Sequence, residues 1–144
     1  MEWNADYSDA GLLAVHRPGP AIKQVQGWIR DTWDTDILDQ LKPFLDNANT
    51  TVLSKTRNSA FHSTTFAAQL REKAIGQLVV TGVLTNACVE GTVRDAFSEG
   101  FRVLVPREAT ATGSESVKEA SLENMGWFGD IVGVEDLLSA LNAA

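Results

Sequence analysis

Residues 77–97 constrain this chain more than any other stretch. They read Gln77-Leu78-Val79-Val80-Thr81-Gly82-Val83-Leu84-Thr85-Asn86-Ala87-Cys88-Val89-Glu90-Gly91-Thr92-Val93-Arg94-Asp95-Ala96-Phe97. The opening residues form a short apolar run suited to a strand buried on both faces. The closing ones place Val89, Val93, Ala96 and Phe97 at three- and four-residue spacing, the period of a helix packed on one side. A doubly buried strand feeding directly into such a helix is half of a parallel crossover unit, because parallel neighbours cannot be joined by a tight hairpin.

The same alternation runs through the chain. Strands are expected over 12–15, 51–54, 78–81, 102–105 and, weakly, 130–132, with helices over 35–41, 64–73, 86–99, 114–125 and 134–141. Gly100 and Gly126 follow their helices as C′ residues, and Ser114 with Glu115 marks a capped helix start. Arg17-Pro18-Gly19-Pro20 ends the first strand. The pattern implies an α/β protein: a doubly wound, mostly parallel sheet with helices on both faces, Rossmann-like in its three layers. At 144 residues the chain fits one domain over its whole length, with 44% hydrophobic and 22% charged residues, as in globular proteins.

Cys88 is the only cysteine. A lone cysteine is commonly a small buried hydrophobe, but this one falls where strand passes into helix. Ligands of open α/β sheets bind beyond the carboxyl ends of the strands. In the first turn of a helix, unpaired N–H groups and the macrodipole stabilise a thiolate. Lys55 follows the apolar run at Val52-Leu53 and is expected at the same edge of the sheet, where an ammonium would favour a thiolate and an oxyanion. The alternative for Lys55 is a solvated strand end, and for Arg57 a surface ion pair.

Composition narrows the partners. A net charge of -7 with no basic stripe argues against nucleic acid. The start Met1-Glu2-Trp3-Asn4-Ala5-Asp6 has neither a basic nor an apolar leader region, no run is long enough to span a bilayer, and one cysteine makes no intrachain disulfide. A cytoplasmic protein is expected. Gly82 stands without the spaced glycines of a dinucleotide site. His16 and His62 lack partners at metal-ligand spacing, so neither metal nor cofactor is expected.

Three blocks then carry a family resemblance: Thr81 to Ala96 around Cys88, the preceding Lys55-Thr56-Arg57-Asn58-Ser59-Ala60-Phe61, and Gly100-Phe101-Arg102-Val103 followed by Glu108-Ala109-Thr110-Ala111. In order and spacing they resemble the isochorismatase-like cysteine hydrolase superfamily, which includes isochorismatases, nicotinamidases, N-carbamoylsarcosine amidases, and ureidoacrylate and biuret hydrolases. The resemblance implies Cys88 as nucleophile, Lys55 as its electrostatic partner and an aspartate as general base. The backbone N–H groups of Leu84 and Cys88 would hold the oxyanion, with a cis peptide between Val83 and Leu84. Such enzymes form a covalent acyl-enzyme that water releases. The isochorismatase branch instead hydrolyses a vinyl ether and can do so without the cysteine.

The resemblance also sets an expectation that residues 1–11 do not meet. The family aspartate closes an aliphatic N-terminal strand, which here is missing: Glu2-Trp3-Asn4-Ala5 is not aliphatic, and Asp9 precedes the 12–15 strand too closely for a crossover of roughly a dozen residues. Neither Asp6 nor Asp9 takes the base role. A fragment of a longer protein, a truncated gene model, and a short homologue that rearranges or borrows a partner's strand all fit. Trp28 and Trp33, flanking Ile29-Arg30-Asp31, either line the substrate pocket or pack in a core or subunit interface, and Phe61 either floors the pocket or packs. The expected function is hydrolysis of a small amide, ureide or related C–N compound by a homo-oligomer, dimer or tetramer. The alternatives are an impaired homologue serving as a binding or assembly module, and a vinyl-ether hydrolase.

Overall fold

The computed structural model describes residues 1–14 and 27–143. The chain divides into two compact units, Met1–Arg57 and Asn58–Ala144.

The second unit holds five strands, β1 (Gln77–Val79), β2 (Gly82–Val83), β3 (Arg102–Pro106), β4 (Thr110–Ala111) and β5 (Asp130–Val132). Its helices are α1 (Phe66–Glu72), α2 (Glu90–Ser98), α3 (Glu115–Met125) and α4 (Val134–Asn142). Every ladder is parallel. β3 lies between β1 and β5, with Leu78 opposite Val103 and Val105 opposite Ile131, while β2 pairs with β4. The three-residue 3₁₀ turn Arg107–Ala109 interrupts one side only, which is why the β1/β3 ladder stops and resumes as a separate pair. This is the parallel α/β architecture that the strand and helix alternation implies.

The helices pack because their apolar positions share one stripe. Val89, Val93 and Ala96 meet Val103 and Val105 of β3, Leu122 and Met125 of α3, Leu70 of α1 and Phe101 in one buried cluster, with Leu78, Phe128 and Ile131 against it. Truncating a side chain such as Leu122 in so closed a core costs about 2–5 kcal/mol. Gly129 makes the tightest backbone approach: a Cβ there would lie 2.7 Å from the Val103 carbonyl oxygen and 2.9 Å from Val103 Cβ. Arg94 lies over the Phe128 ring at 4.5 Å, and Phe97 meets the same ring edge-on.

The first unit is built from turns. Trp3 and Ile29 form a single parallel bridge, with Trp3 N–H donating to Trp28 O at 2.7 Å and Arg30 N–H to Trp3 O at 2.8 Å. The buried Trp3 ring packs on Tyr7 and Trp28, and its indole N–H donates to Thr56 O at 2.8 Å. Arg30 gathers Glu2, Asn4 and Asp9 around its guanidinium.

Several expected elements differ. Residues 12–14 of the expected 12–15 strand belong to a 3₁₀ turn, Gly11–Ala14, and Val15 lies outside the described residues, as do His16 and the Arg17-Pro18-Gly19-Pro20 loop. Residues 51–54 form no regular element and join no ladder among the described residues. The 35–41 helix is replaced by turns ahead of the 3₁₀ turn Lys42–Phe44. Side chains there compete for the backbone: the Asp34 carboxylate accepts the Trp28 N–H and the Thr32 hydroxyl, Thr32 and Thr35 hydroxyls donate to Ile29 O, and Pro43 offers no N–H. Thr64 delays α1 in the same way, donating to Ala60 O at 2.6 Å and accepting the Phe66 N–H at 3.2 Å. Gly100 adopts φ +88° as a C′ residue should, whereas Gly126 stays right-handed and the chain turns on until Gly129 N–H reaches Met125 O. Ser114 occupies the N-cap position of α3 without a side-chain cap bond. Among the described residues no helix is long and apolar enough to cross a membrane.

Because the neighbour of Gly129 is backbone rather than a flexible side-chain tip, Gly129→Ala should lower unfolding stability by about 1–3 kcal/mol in urea denaturation. A midpoint equal to that of the unsubstituted chain would show that β3 and the 126–129 turn can separate freely.

Candidate active site

The site is generated where β1 gives way to α2. Val80 N–H donates to Leu104 O at 2.9 Å, the last bond tying this strand to β3. Gly82 then takes φ +110°, a conformation that side-chain-bearing residues rarely adopt. β2 follows, and the peptide bond between Val83 and Leu84 is cis, as the resemblance implies. The next residues, Thr85–Val89, wind as a π-helix and hand over to α2 at Glu90. Cys88 therefore lies in this wider turn, before α2 rather than in its first α-helical turn. Val89 N–H reaches Leu84 O at 3.2 Å and Glu90 N–H reaches Thr85 O, the five-residue closures that define the turn. Cys88 is half-buried, between the fully buried Thr85 and Val89 on one side and exposed Asn86 on the other.

Side chains from two other elements brace the turn. On the exposed side, Thr112 Oγ1 donates to Asn86 Oδ1 at 2.7 Å. On the buried side, Ser121 of α3 sets its hydroxyl 3.2 Å from Thr85 O and 2.6 Å from Glu90 Oε2, while Arg94 donates through Nε and Nη2 to Glu90 Oε1. Thr85 Oγ1 is buried with no hydrogen-bond partner among the described residues, an omission that costs about 1–3 kcal/mol in a protein interior. Sequence reasoning missed Ser121 and Thr112. The signal for Ser121 was a polar residue beside Leu122 and Met125, on the apolar stripe of α3.

The remaining expected residues are distributed as follows. Leu84 opens the turn that Cys88 nearly closes, so these two are brought together by local chain geometry. Phe61 belongs to the same unit, where its ring lies 5.1 Å from Phe66 and 5.7 Å from Phe101, against the buried cluster. Lys55 and Trp33 belong to the first unit. There the Lys55 ammonium donates to Arg57 O at 2.8 Å, and Trp33 is 90% exposed. Arg57 braces its own unit, donating to Asp9 O at 2.7 Å and Thr56 O at 3.0 Å. Asp6 accepts the Ser8 N–H, and Asp9 the Asn4 N–H at 2.8 Å, so both carboxylates serve the N-terminal turns. His62 is exposed, and among the described residues no three His, Cys, Asp or Glu side chains converge as a metal would require.

Glu108, in the turn that interrupts the ladders, accepts the Val134 N–H at 3.0 Å and so serves the start of α4. Its own backbone N–H first, and that of Val134 second, hold its carboxyl below the ordinary 4.5.

Parallel strands, helical crossovers and a cysteine on a strand-to-helix turn define an α/β domain with its one cysteine at the carboxyl edge of a strand. The chain belongs to the isochorismatase family: the Isochorismatase domain model matches residues 11–136. It is 32% identical to the ureidoacrylate amidohydrolase RutB of Methylorubrum extorquens, over 96% of this chain and 60% of that protein. It therefore spans about 60% of the length of the curated relatives it matches. Among solved structures, an isochorismatase family protein from Desulfovibrio vulgaris superposes with a TM-score of 0.80 at 28% identity, covering 99% of this chain and 72% of that one. The nicotinamidase/pyrazinamidase PncA of Bacillus subtilis superposes at 0.74 with 25% identity, covering 90% and 70%.

Two outcomes follow from the local geometry. Gly82→Ala, forced to hold a side chain at φ +110° in open space, should lose about 1–3 kcal/mol of stability by denaturant titration, and an unchanged midpoint would mean that the strand end readjusts. A carboxyl whose folded pKa is depressed stabilises the fold above its unfolded pKa and ceases to do so as pH falls through the folded value. Acidification through that lowered range should therefore speed amide exchange at Val134 relative to α3, after correction for intrinsic rates, and Glu108→Gln should weaken this pH dependence.

Proposed function

We propose that the chain carries the nucleophile of a cysteine amidohydrolase acting on a small amide, ureide or related C–N compound. The observation that carries the reading is Cys88 itself, half-buried on a braced π-helical turn at the end of a parallel strand. Membership in the isochorismatase family, whose relatives here include a ureidoacrylate amidohydrolase and a nicotinamidase, supports the substrate class.

The Cys88 thiolate attacks the carbonyl carbon, and the backbone N–H groups of Leu84 and Cys88 hold the resulting oxyanion. The amine or ammonia leaves with the proton the thiol gave up, and water hydrolyses the thioester, its hydroxyl going to the acyl carbon and its proton returning to the sulfur. Lys55 stabilises the thiolate and the oxyanion, a role that rests on the Lys55 to Phe61 block of the family pattern. Trp33 and Phe61 are the proposed pocket residues. No carboxylate is assigned as the base. The enzyme so described is a cytoplasmic homo-oligomer, a dimer or tetramer, that needs no cofactor.

Hydrolysis of ureidoacrylate and of nicotinamide, followed as ammonia release, tests the reading together with Cys88 alkylation across pH. Cys88→Ser should lower turnover by roughly 10³-fold or more. The native thiol should react faster than the thiol of the unfolded chain under the same conditions, and Lys55→Ala should slow it. A thiol no more reactive than that of the unfolded chain, and unaffected by Lys55→Ala, would favour a binding or assembly module instead.

A further inference from the structure

One side chain outside the turn touches both of its ends. Ser121, 3% exposed on α3, lies 3.2 Å from the carbonyl oxygen of Thr85 and 2.6 Å from the Glu90 carboxylate. Thr85 is the first residue of the π-helical turn and Glu90 the residue that closes it, its N–H reaching Thr85 O. A hydroxyl has one proton, here set between two acceptors, and the shorter, charge-assisted contact to the carboxylate takes the larger share. The Thr85 carbonyl thus keeps its backbone partner and gains a weaker second one.

Behind Glu90 the chain of contacts continues. Its other oxygen accepts Nε and Nη2 of Arg94 at 3.0 and 2.7 Å, and Arg94 lies over the Phe128 ring at 4.5 Å. Phe128 is packed against the buried cluster. The position of the turn is thereby referred to the core through side chains rather than through the loop's own backbone. This matters because a π-helical turn carries one residue more than an α-turn. Were it to tighten to α geometry, the residues before Glu90 would be displaced by one position, which on a helix of about 3.6 residues per turn is a rotation of roughly 100°. Cys88 lies inside the displaced segment.

We infer that Ser121 is the positioning residue for Cys88, fixing the direction of the thiol by clamping Thr85 to Glu90. The inference rests on the reading of Cys88 as the nucleophile, but its test needs no substrate.

The test compares the rate of Cys88 carbamidomethylation with iodoacetamide against pH, read by intact mass, in the unsubstituted chain, Ser121→Ala, Glu90→Gln and Val103→Ala. Ser121→Ala removes one oxygen and should fold. Its alkylation rate at neutral pH should fall about tenfold and its profile change with it, an effect of the size expected for one lost charge-assisted hydrogen bond. Glu90→Gln, which keeps an acceptor for Ser121 but not the charge, should move the profile in the same direction and less far. Val103→Ala lowers the melting temperature from within β3, far from these bonds in the chain, and should leave the profile in place. A Ser121→Ala profile that superimposes on the unsubstituted one overturns the inference, as does an equal shift in Val103→Ala. If Cys88→Ser keeps full turnover while Ser121→Ala still shifts alkylation, the nucleophile reading fails and the positioning role stands.

Discussion

Burial of β3 on both edges is the constraint from which the second unit follows. Its backbone is hydrogen-bonded to β1 on one side and β5 on the other, and its inward side chains, Val103 and Val105, are buried. A strand placed this way has no solvent to satisfy its polar groups, so both neighbours must hold register along its length. That register fixes β4 beside β2, once three residues have been taken up in the 3₁₀ turn. With β2 fixed, the chain has a short distance in which to turn into α2, and the π-helical turn that bears Cys88 is the result.

How much of this could be read beforehand depended on whether the deciding interaction was local. β5 was legible at 130–132, and α4 and α3 nearly to the residue, because their apolar residues, and for α3 the adjoining Ser114, are local to the elements. The 51–54 run had the right residues for a strand, but a ladder requires a neighbour that composition does not supply, and Val52 is exposed. Over 35–41 the sequence offered a helical stretch, yet Thr35 and the preceding Thr32 and Asp34 spend their side chains on nearby backbone groups, a competition that periodicity does not register.

The site divides along the same line. The place of Cys88 on a strand-to-helix turn was accessible from one contiguous block of residues, and the cis bond before Leu84 from the family resemblance that three blocks carry. The groups that hold the turn were not, since Ser121 lies 36 residues from Thr85 and 31 from Glu90 in sequence. Nothing about Ser121 taken alone distinguishes it from a serine facing water. Only the packing of α3 against the turn turns its hydroxyl inward. Within the turn so braced, Thr85 Oγ1 is buried and has no hydrogen-bond partner among the described residues.

The placement of the tryptophans gives the molecule an unequal optical signature. Of the four, Trp3, Trp28 and Trp33 fall in the first unit and Trp127 in the second. Trp3 is buried in an aromatic cage and Trp127 is 83% exposed. An indole already in water changes its emission little when the chain around it unravels. Intrinsic fluorescence should therefore follow the loss of the turn-built N-terminal unit and remain almost blind to the melting of the parallel sheet, whose unfolding would have to be watched by circular dichroism instead.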